Sequence, residues 1–245
     1  MSYLPPPIAV TENARYRVAY GVLGQIGEIR TSIEREPARG GERLVRVKGS
    51  GDGSILGMGQ MHAEVDGRFD AARLGSRRWK SASGQGSKAI TDVIDQPRPG
   101  ELALERRLGS GAPERLWATL AMPVLDPLGF ILRVRISPPA PGRSQTFHVM
   151  EGQALWRLTL ATAGTEVLPD GAATPTAALR IDGKIEPVSF DGKPDDSRSH
   201  RSFTLWLSND PTRVPLRMSI SVGPGHLVVE LVELQRQVRV AGQRP

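Results

Sequence analysis

The sequence predicts an all-β domain, in the main an antiparallel sheet, with one short helix near residues 126–135. Three observations carry that prediction. Apolar and polar residues alternate with a period of two through most of the chain, and strand side chains point to opposite faces in turn. Glycine and proline are abundant, at 27 and 20 of 245 residues, which favours short elements joined by tight turns. Asp-Gly occurs at 52, 66, 170, 182 and 191, and both residues tolerate the positive φ of hairpin turns.

The elements follow in order. Tyr16, Val18, Tyr20 and Val22 face one way and Arg15, Arg17 and Ala19 the other, a half-buried strand interrupted at Gly21 and Gly24. Ile29, Thr31 and Ile33 oppose Glu28, Arg30 and Glu34 in a second strand, and Val45 and Val47 mark a short third. The glycine-rich run 49–59 reads as a hairpin end, and Asp66-Gly67 as another turn. Residues 70–99 are polar and small, a loop region with one strand around Trp79 and one at Ile90 to Ile94. Leu102, Leu104 and Leu108, then Leu116, Ala118 and Leu120, alternate as two more strands.

Asp126-Pro127 is a helix start: aspartate caps free N–H groups and proline suits the first helical position. The helix is expected from Pro127 to about Arg135, and Ser137 to Gly142 breaks it with three prolines. Beyond it, Trp156, Leu158 and Leu160, then Phe203, Leu205 and Leu207, then Val214 to Val222, alternate as strands. Gly223-Pro224-Gly225 turns the chain into an apolar final strand, Leu227 to Leu234. The domain expectation is an extended N-terminal linker at 1–13, one β domain at 14–240 with a subdomain break at 137–142, and a tail at 241–245.

Composition narrows the chemistry. The chain carries a net charge of +6, and arginine supplies 27 of its 32 basic residues. The planar guanidinium fork suits oxyanions, yet basic and acidic residues are interspersed and only Arg77, Arg78 and Lys80 cluster locally. The absence of cysteine excludes disulfides, thiolate zinc sites and cysteine nucleophiles. No run approaches the roughly 20 apolar residues of a membrane span. The start, Met1 to Pro7, lacks the basic and apolar regions of a signal peptide. It reads as a cytoplasmic start or as a mature segment with an added methionine.

Motifs for catalysis are missing. The glycine run has no Gly-Lys-Ser/Thr and is no phosphate loop. His62, His148, His200 and His226 lie far apart, without metal-ligand spacing. Asp191, Asp195 and Asp196 lack the spaced ligands of a calcium loop and read as an acidic surface turn. No Gly-x-Ser-x-Gly elbow occurs, and no carboxylate pair stands out. The few aromatic residues are too dispersed for a nucleic-acid-binding sheet. No catalytic residue, metal ligand or cofactor is assigned.

One segment is distinctive: Trp206-Leu-Ser208-Asn-Asp210-Pro-Thr-Arg213-Val-Pro215, a strand, tight turn and strand. Arg213 is placed to pair with Asp210 or to cover Trp206. This hairpin resembles the bacterial family called domain of unknown function 3108, whose members are mostly exported. Asp126-Pro127-Leu128 opening a helix to Arg133 is similar too, as are Phe69-Asp70 with Trp79, the Tyr20 to Glu28 strand pair and the closing strand Gly225 to Leu231. The likeness spans roughly residues 14–234. Gly129-Phe130 departs from the family's small, serine-containing helix start, and its export signal is missing. The resemblance implies a curved antiparallel sheet or half-barrel of the lipoprotein-carrier kind, wrapping a short helix and a hydrophobic cavity. It implies a periplasmic or exported location and no catalytic residues.

The functional expectation is a non-enzymatic cell-envelope protein that binds or carries a hydrophobic, anionic ligand such as a lipid or lipoprotein. Trp117, Trp156 and Trp206 are the candidate lining residues, Arg133 is a further candidate ligand-binding residue, and arginines at the rim are expected to meet an anionic head group. Asp126, Pro127, Trp206, Ser208, Asp210, Arg213 and Pro215 form the structural motif. A scaffold or assembly factor with an envelope protein partner is the alternative, and an enzyme acting on envelope glycan or lipid the second.

Overall fold

The computed structural model describes residues 11–36, 43–55, 59–84, 86–168 and 176–237. The first half of the chain forms β1 (Thr11–Tyr20), β2 (Gln25–Arg35), β3 (Leu44–Ile55), β4 (Gly59–Asp70), β5 (Gly75–Ser83), β6 (Ile90–Arg98), β7 (Glu101–Leu108) and β8 (Glu114–Thr119). A two-residue strand, β9 (Val124–Leu125), leads into the helix α1 (Pro127–Ile136). The second half forms β10 (Ser144–Glu151), β11 (Ala154–Leu168), β12 (Thr176–Val188), β13 (Arg201–Ser208), β14 (Pro215–Val222) and β15 (Gly225–Gln237).

These strands make one 15-stranded sheet in the order β8-β7-β6-β5-β4-β3-β2-β1-β15-β14-β13-β12-β11-β10-β9. Every pairing is antiparallel except β9 with β10. The order dictates the curvature. Laid flat, 15 strands would span about 67 Å between the outermost two. Those two strands, β8 and β9, are joined by Leu120 to Pro123, and such a link reaches only about 18 Å. The sheet must curl until its edges approach, giving an open half-barrel.

The helix lies inside the curl. Its sequence, PLGFILRVRI, is apolar nearly all round, the pattern of a helix surrounded by protein. Phe130, Leu132 and Val134 are buried among Ile33, Val45, Val47 and Phe69 on one side and Phe147, Leu158, Ile181 and Leu205 on the other. Burying each such side chain contributes about 1.5–3 kcal/mol. Phe130 meets Phe147 and Phe203 edge to face at 5.7 and 6.3 Å.

A second apolar cluster closes the seam between the halves of the sheet. Trp79, Ile94, Leu102 and Leu104 from β5 to β7 pack with Met150, Leu155 and Val188 from β10 to β12. The buried Gln96 side chain pins β9 there: it donates to the carbonyls of Ser76 and Val124 and accepts from the amides of Gly100 and Val124.

Several expectations need correction. Three of the five Asp-Gly pairs, at 52, 66 and 182, lie inside strands rather than at turns. Their glycines serve close approach instead. A Cβ at Gly67 would sit 3.4 Å from the Asp126 carboxylate, and one at Gly183 would strike the Phe203 ring. Asp191-Gly192 is a turn, with Gly192 at φ 80°, and Asp170-Gly171 lies outside the described residues. The third strand is long, and the glycine run continues it as far as Ile55. Thr11 to Asn13, expected in the linker, pair with both β2 and β15. Residues 1–10 and 241–245 lie outside the described residues. The 137–142 segment joins α1 to β10 within the one sheet.

Candidate functional site

The helix N-terminus is fixed by the residues expected to start it. Asp126 accepts hydrogen bonds from the amides of Leu128 and Gly129, both at 3.0 Å. From β5, the Ser76 hydroxyl donates to its other carboxylate oxygen at 2.6 Å. Burial pushes the Asp126 carboxyl above its ordinary range, and these hydrogen bonds offset part of the rise. Gly129 leaves room for Ser76: a Cβ there would lie 2.5 Å from Asp126 Oδ2.

The helix C-terminus is fixed by the distinctive hairpin. Arg135 donates to both carboxylate oxygens of Glu12 on β1, at 2.7 and 3.0 Å, and to the Thr212 carbonyl at 3.2 Å. Arg236 of β15 donates to Glu12 at 3.1 Å and to the Thr212 hydroxyl at 2.9 Å. Arg213, with φ 46°, reaches back to the Arg135 carbonyl at 3.3 Å. The turn is held by Val214 donating to the Ser208 hydroxyl at 2.8 Å and Thr212 donating to Asp210 at 2.6 Å. Arg213 therefore does not cover Trp206. Arg217 does, at 5.5 Å, and the indole donates to Glu166. The hairpin is a clamp that seats the helix in the sheet.

Between these two anchors, Arg133 points another way. Residues two apart on a helix lie on different faces, so Arg133 and Arg135 diverge. Arg133 lines a cavity of about 400 Å³ at the seam, beside Leu74, Met122, Leu125 and Phe147. Its guanidinium lies over the Phe147 ring at 5.8 Å. Nη1 is buried with no hydrogen-bond partner, and burial works against the charge. Among the described residues no carboxylate pairs with it. Arg73 and Arg77 also line the cavity, and no carboxylate does. His148, buried on the cavity wall, is held below its ordinary pKa by burial and then by the Arg157 charge.

The cavity gathers Arg133 but none of the three candidate tryptophans. Trp117 stands on the outer face of the edge strand β8, 75% exposed. Trp156 packs against the helix cluster beneath Arg198 and Arg201, at 4.7 and 5.8 Å. Trp206 is on the outer face of β13, opposite Leu205 and Leu207 in strand parity. The three do not line a common cavity: Trp156 faces the helix cluster, whereas strand parity turns Trp117 and Trp206 outward. The wall residues Phe147 and His148 escaped sequence reading because β10 is buried on both faces and shows no alternation. Leu74, with φ 55°, carries no sequence signal for its left-handed turn.

Among solved structures, the chain is similar to the β-barrel-like protein of domain of unknown function DUF1849 from Brucella abortus. Identity is 10% and the TM-score 0.54, over 93% of this chain and 98% of that one. The likeness is one of fold. LprF from Mycobacterium bovis aligns at 11% identity and a TM-score of 0.33, covering 94% of this chain and 89% of its own. The lipoprotein LppX from Mycobacterium tuberculosis aligns at 14% and 0.27, covering 95% and 90%. Scores that low carry no argument. No curated protein matches. The sequence does match the family described as Protein of unknown function (DUF3108) over residues 15–232, and with the capped helix and its clamping hairpin in place, the chain belongs to that family.

Proposed function

We propose that this chain is a non-enzymatic protein of the cell envelope that binds or carries a hydrophobic, anionic ligand such as a lipid or lipoprotein. One observation carries the reading: the Arg133 guanidinium, partly buried and without an ion-pair partner among the described residues, faces a cavity that Leu74, Met122, Leu125 and Phe147 line together with Arg73 and Arg77. An isolated buried cation is costly, and an incoming carboxylate or phosphate would complete it. The volume, about 400 Å³, lies near the lower end of the roughly 300–1,000 Å³ range of ligand pockets. Among the described residues no helix is long and apolar enough to cross a membrane.

Displacement of a fluorescent fatty acid, with mass spectrometry of solvent extracts, tests the proposal. Arg133→Met is expected to weaken the acid at least about tenfold, the worth of a charge-assisted hydrogen bond, and to leave the methyl ester unchanged. Equal binding of the acid by both proteins would overturn the reading. An assembly role is the second reading, favoured by the unpaired edge of β8 with exposed Leu116 and Trp117. Under it, extracts hold no lipid, and an envelope protein co-purifies through that edge.

A further inference from the structure

The seam cavity has a neighbour on the outer face of the sheet. This second cavity, of about 540 Å³, is lined by Arg68, Arg77, Arg78, Asp95, Gln96 and Trp117 among others. Arg77 and Gln96 line both, so the two adjoin across the start of β5. Strand register arranges the outer one. Arg46, Arg68, Arg78, Asp95, Ala103 and Trp117 are direct cross-strand neighbours from β3 to β8. Like charges directly opposite one another destabilise a sheet, yet three arginines stand in succession here. Together the two linings hold five arginines and one carboxylate. The row ends in Trp117, the most exposed tryptophan, and Met122 stands 42% exposed on the seam cavity's lining.

We propose that this surface docks on an anionic phospholipid bilayer and presents the seam cavity to it. The inference rests on the reading that the cavity takes a lipid. Indole rings settle at the headgroup level of a membrane, and guanidiniums bind phosphate with a planar fork. Arg46 is held by Asp66 through hydrogen bonds at 2.9 and 2.6 Å and lines neither cavity; the acid partners of the other two arginines do not forbid exchange. Arg68 meets Glu36 at 3.0 Å and Arg78 meets Asp95 at 3.5 Å. Both arginines are more than half exposed, and such surface pairs contribute little and are screened by salt. Single exposed apolar side chains set among cations suit a headgroup layer better than the dry centre of a protein interface. Continuity with the lipid cavity favours the membrane over an acidic protein.

Vesicle flotation tests this with the whole chain. Vesicles of phosphatidylcholine alone are compared with vesicles holding about 30% phosphatidylglycerol, where each basic residue near the surface is worth about a fivefold change in partition. The protein is expected to float with the anionic vesicles only, and to be released at about 0.5 M salt, where screening is short-ranged. Arg68→Gln and Arg78→Gln should each weaken flotation about fivefold. Trp117→Ser should weaken it and abolish quenching of tryptophan fluorescence by brominated lipid. All three side chains are exposed, so circular dichroism and binding of the soluble fatty acid should stay as in the parent. Absence of flotation, or flotation indifferent to these variants, overturns the docking surface. It does so alone if Arg133→Met still discriminates the fatty acid. Flotation that persists while Arg133→Met binds normally sinks the carrier reading instead. Competition at this face by polyglutamate, without vesicle binding, would assign it to an acidic protein partner and overturn the membrane.

Discussion

Replacing Glu12 with glutamine should expose what holds the helix in the sheet. Glu12 is buried and accepts three hydrogen bonds, two from Arg135 and one from Arg236. The Arg135 side chain is 8% exposed and that of Arg236 26%. Removing the carboxylate charge leaves Arg135 buried and uncompensated, a change that typically costs about 3–5 kcal/mol. Arg236 can turn toward water, so the lower end, about 3 kcal/mol, is expected. In a domain of this length that lowers the melting temperature by about 10 °C. Glu12→Leu combined with Arg135→Met removes both charges together and should cost no more than about 1 kcal/mol. Equilibrium urea unfolding measures both. The pH dependence carries a second signature. Burial alone would raise the Glu12 carboxyl, but the hydrogen bonds and charges of Arg135 and Arg236 hold it below 4.5. Its stabilisation is therefore present above pH 4.5 and is lost as pH falls through the lower folded value. Glu12→Gln should flatten that acid limb. A loss in Glu12→Gln of under about 0.5 kcal/mol, the scale of a surface pair, would refute the clamp. So would a double variant as unstable as the sum of its parts.

Four further outcomes follow from the same geometry. Arg133→Met should raise the melting temperature by a few degrees, about 1 kcal/mol of stability, because it removes a partly buried cation without an acid partner. A fall would mean the guanidinium is structural. Asp126→Ala should cost about 1–2 kcal/mol as a lost helix cap. The raised Asp126 carboxyl makes stability decline as pH rises from 3.8 toward its folded value, and Asp126→Asn should abolish that decline in urea titrations. Gly129→Ala should cost about 1–3 kcal/mol from overpacking against Ser76 and Asp126, and a neutral result would show that the helix can shift. His62, bonded first by Asp52 and then by Glu64, should titrate above 6.5 by proton NMR. Asp52→Asn should bring it down, and the bond's small contribution fades as pH rises through the folded pKa.

Much of the fold was legible because its signals are local. Period-two alternation marked β1, β2, β7, β8 and β13 directly, and Asp126-Pro127 marked a helix start that the structure bears out. What escaped were places where local rules yield to neighbours. β10 is buried on both faces and has no alternation to read. Gly67 and Gly183 sit mid-strand where a carboxylate and an aromatic ring press on them, so at these two positions Asp-Gly marked close approach, whereas Asp191-Gly192 did mark a turn. Arg213 was read against its own hairpin, whereas it serves a helix 78 positions away in the chain.

The candidate site divides the same way. The sequence by itself determined most of the strands, the capped helix and an excess of arginine, since each depends on residues close together in the chain. Only the tertiary structure decided that Arg133 would face the seam cavity without an ion-pair partner among the described residues while Arg135 is neutralised by Glu12. Both outcomes are set by how a sheet of 15 strands curls to bring its edges near each other around one helix. That closure is a long-range geometric condition, and no window of neighbouring residues contains it.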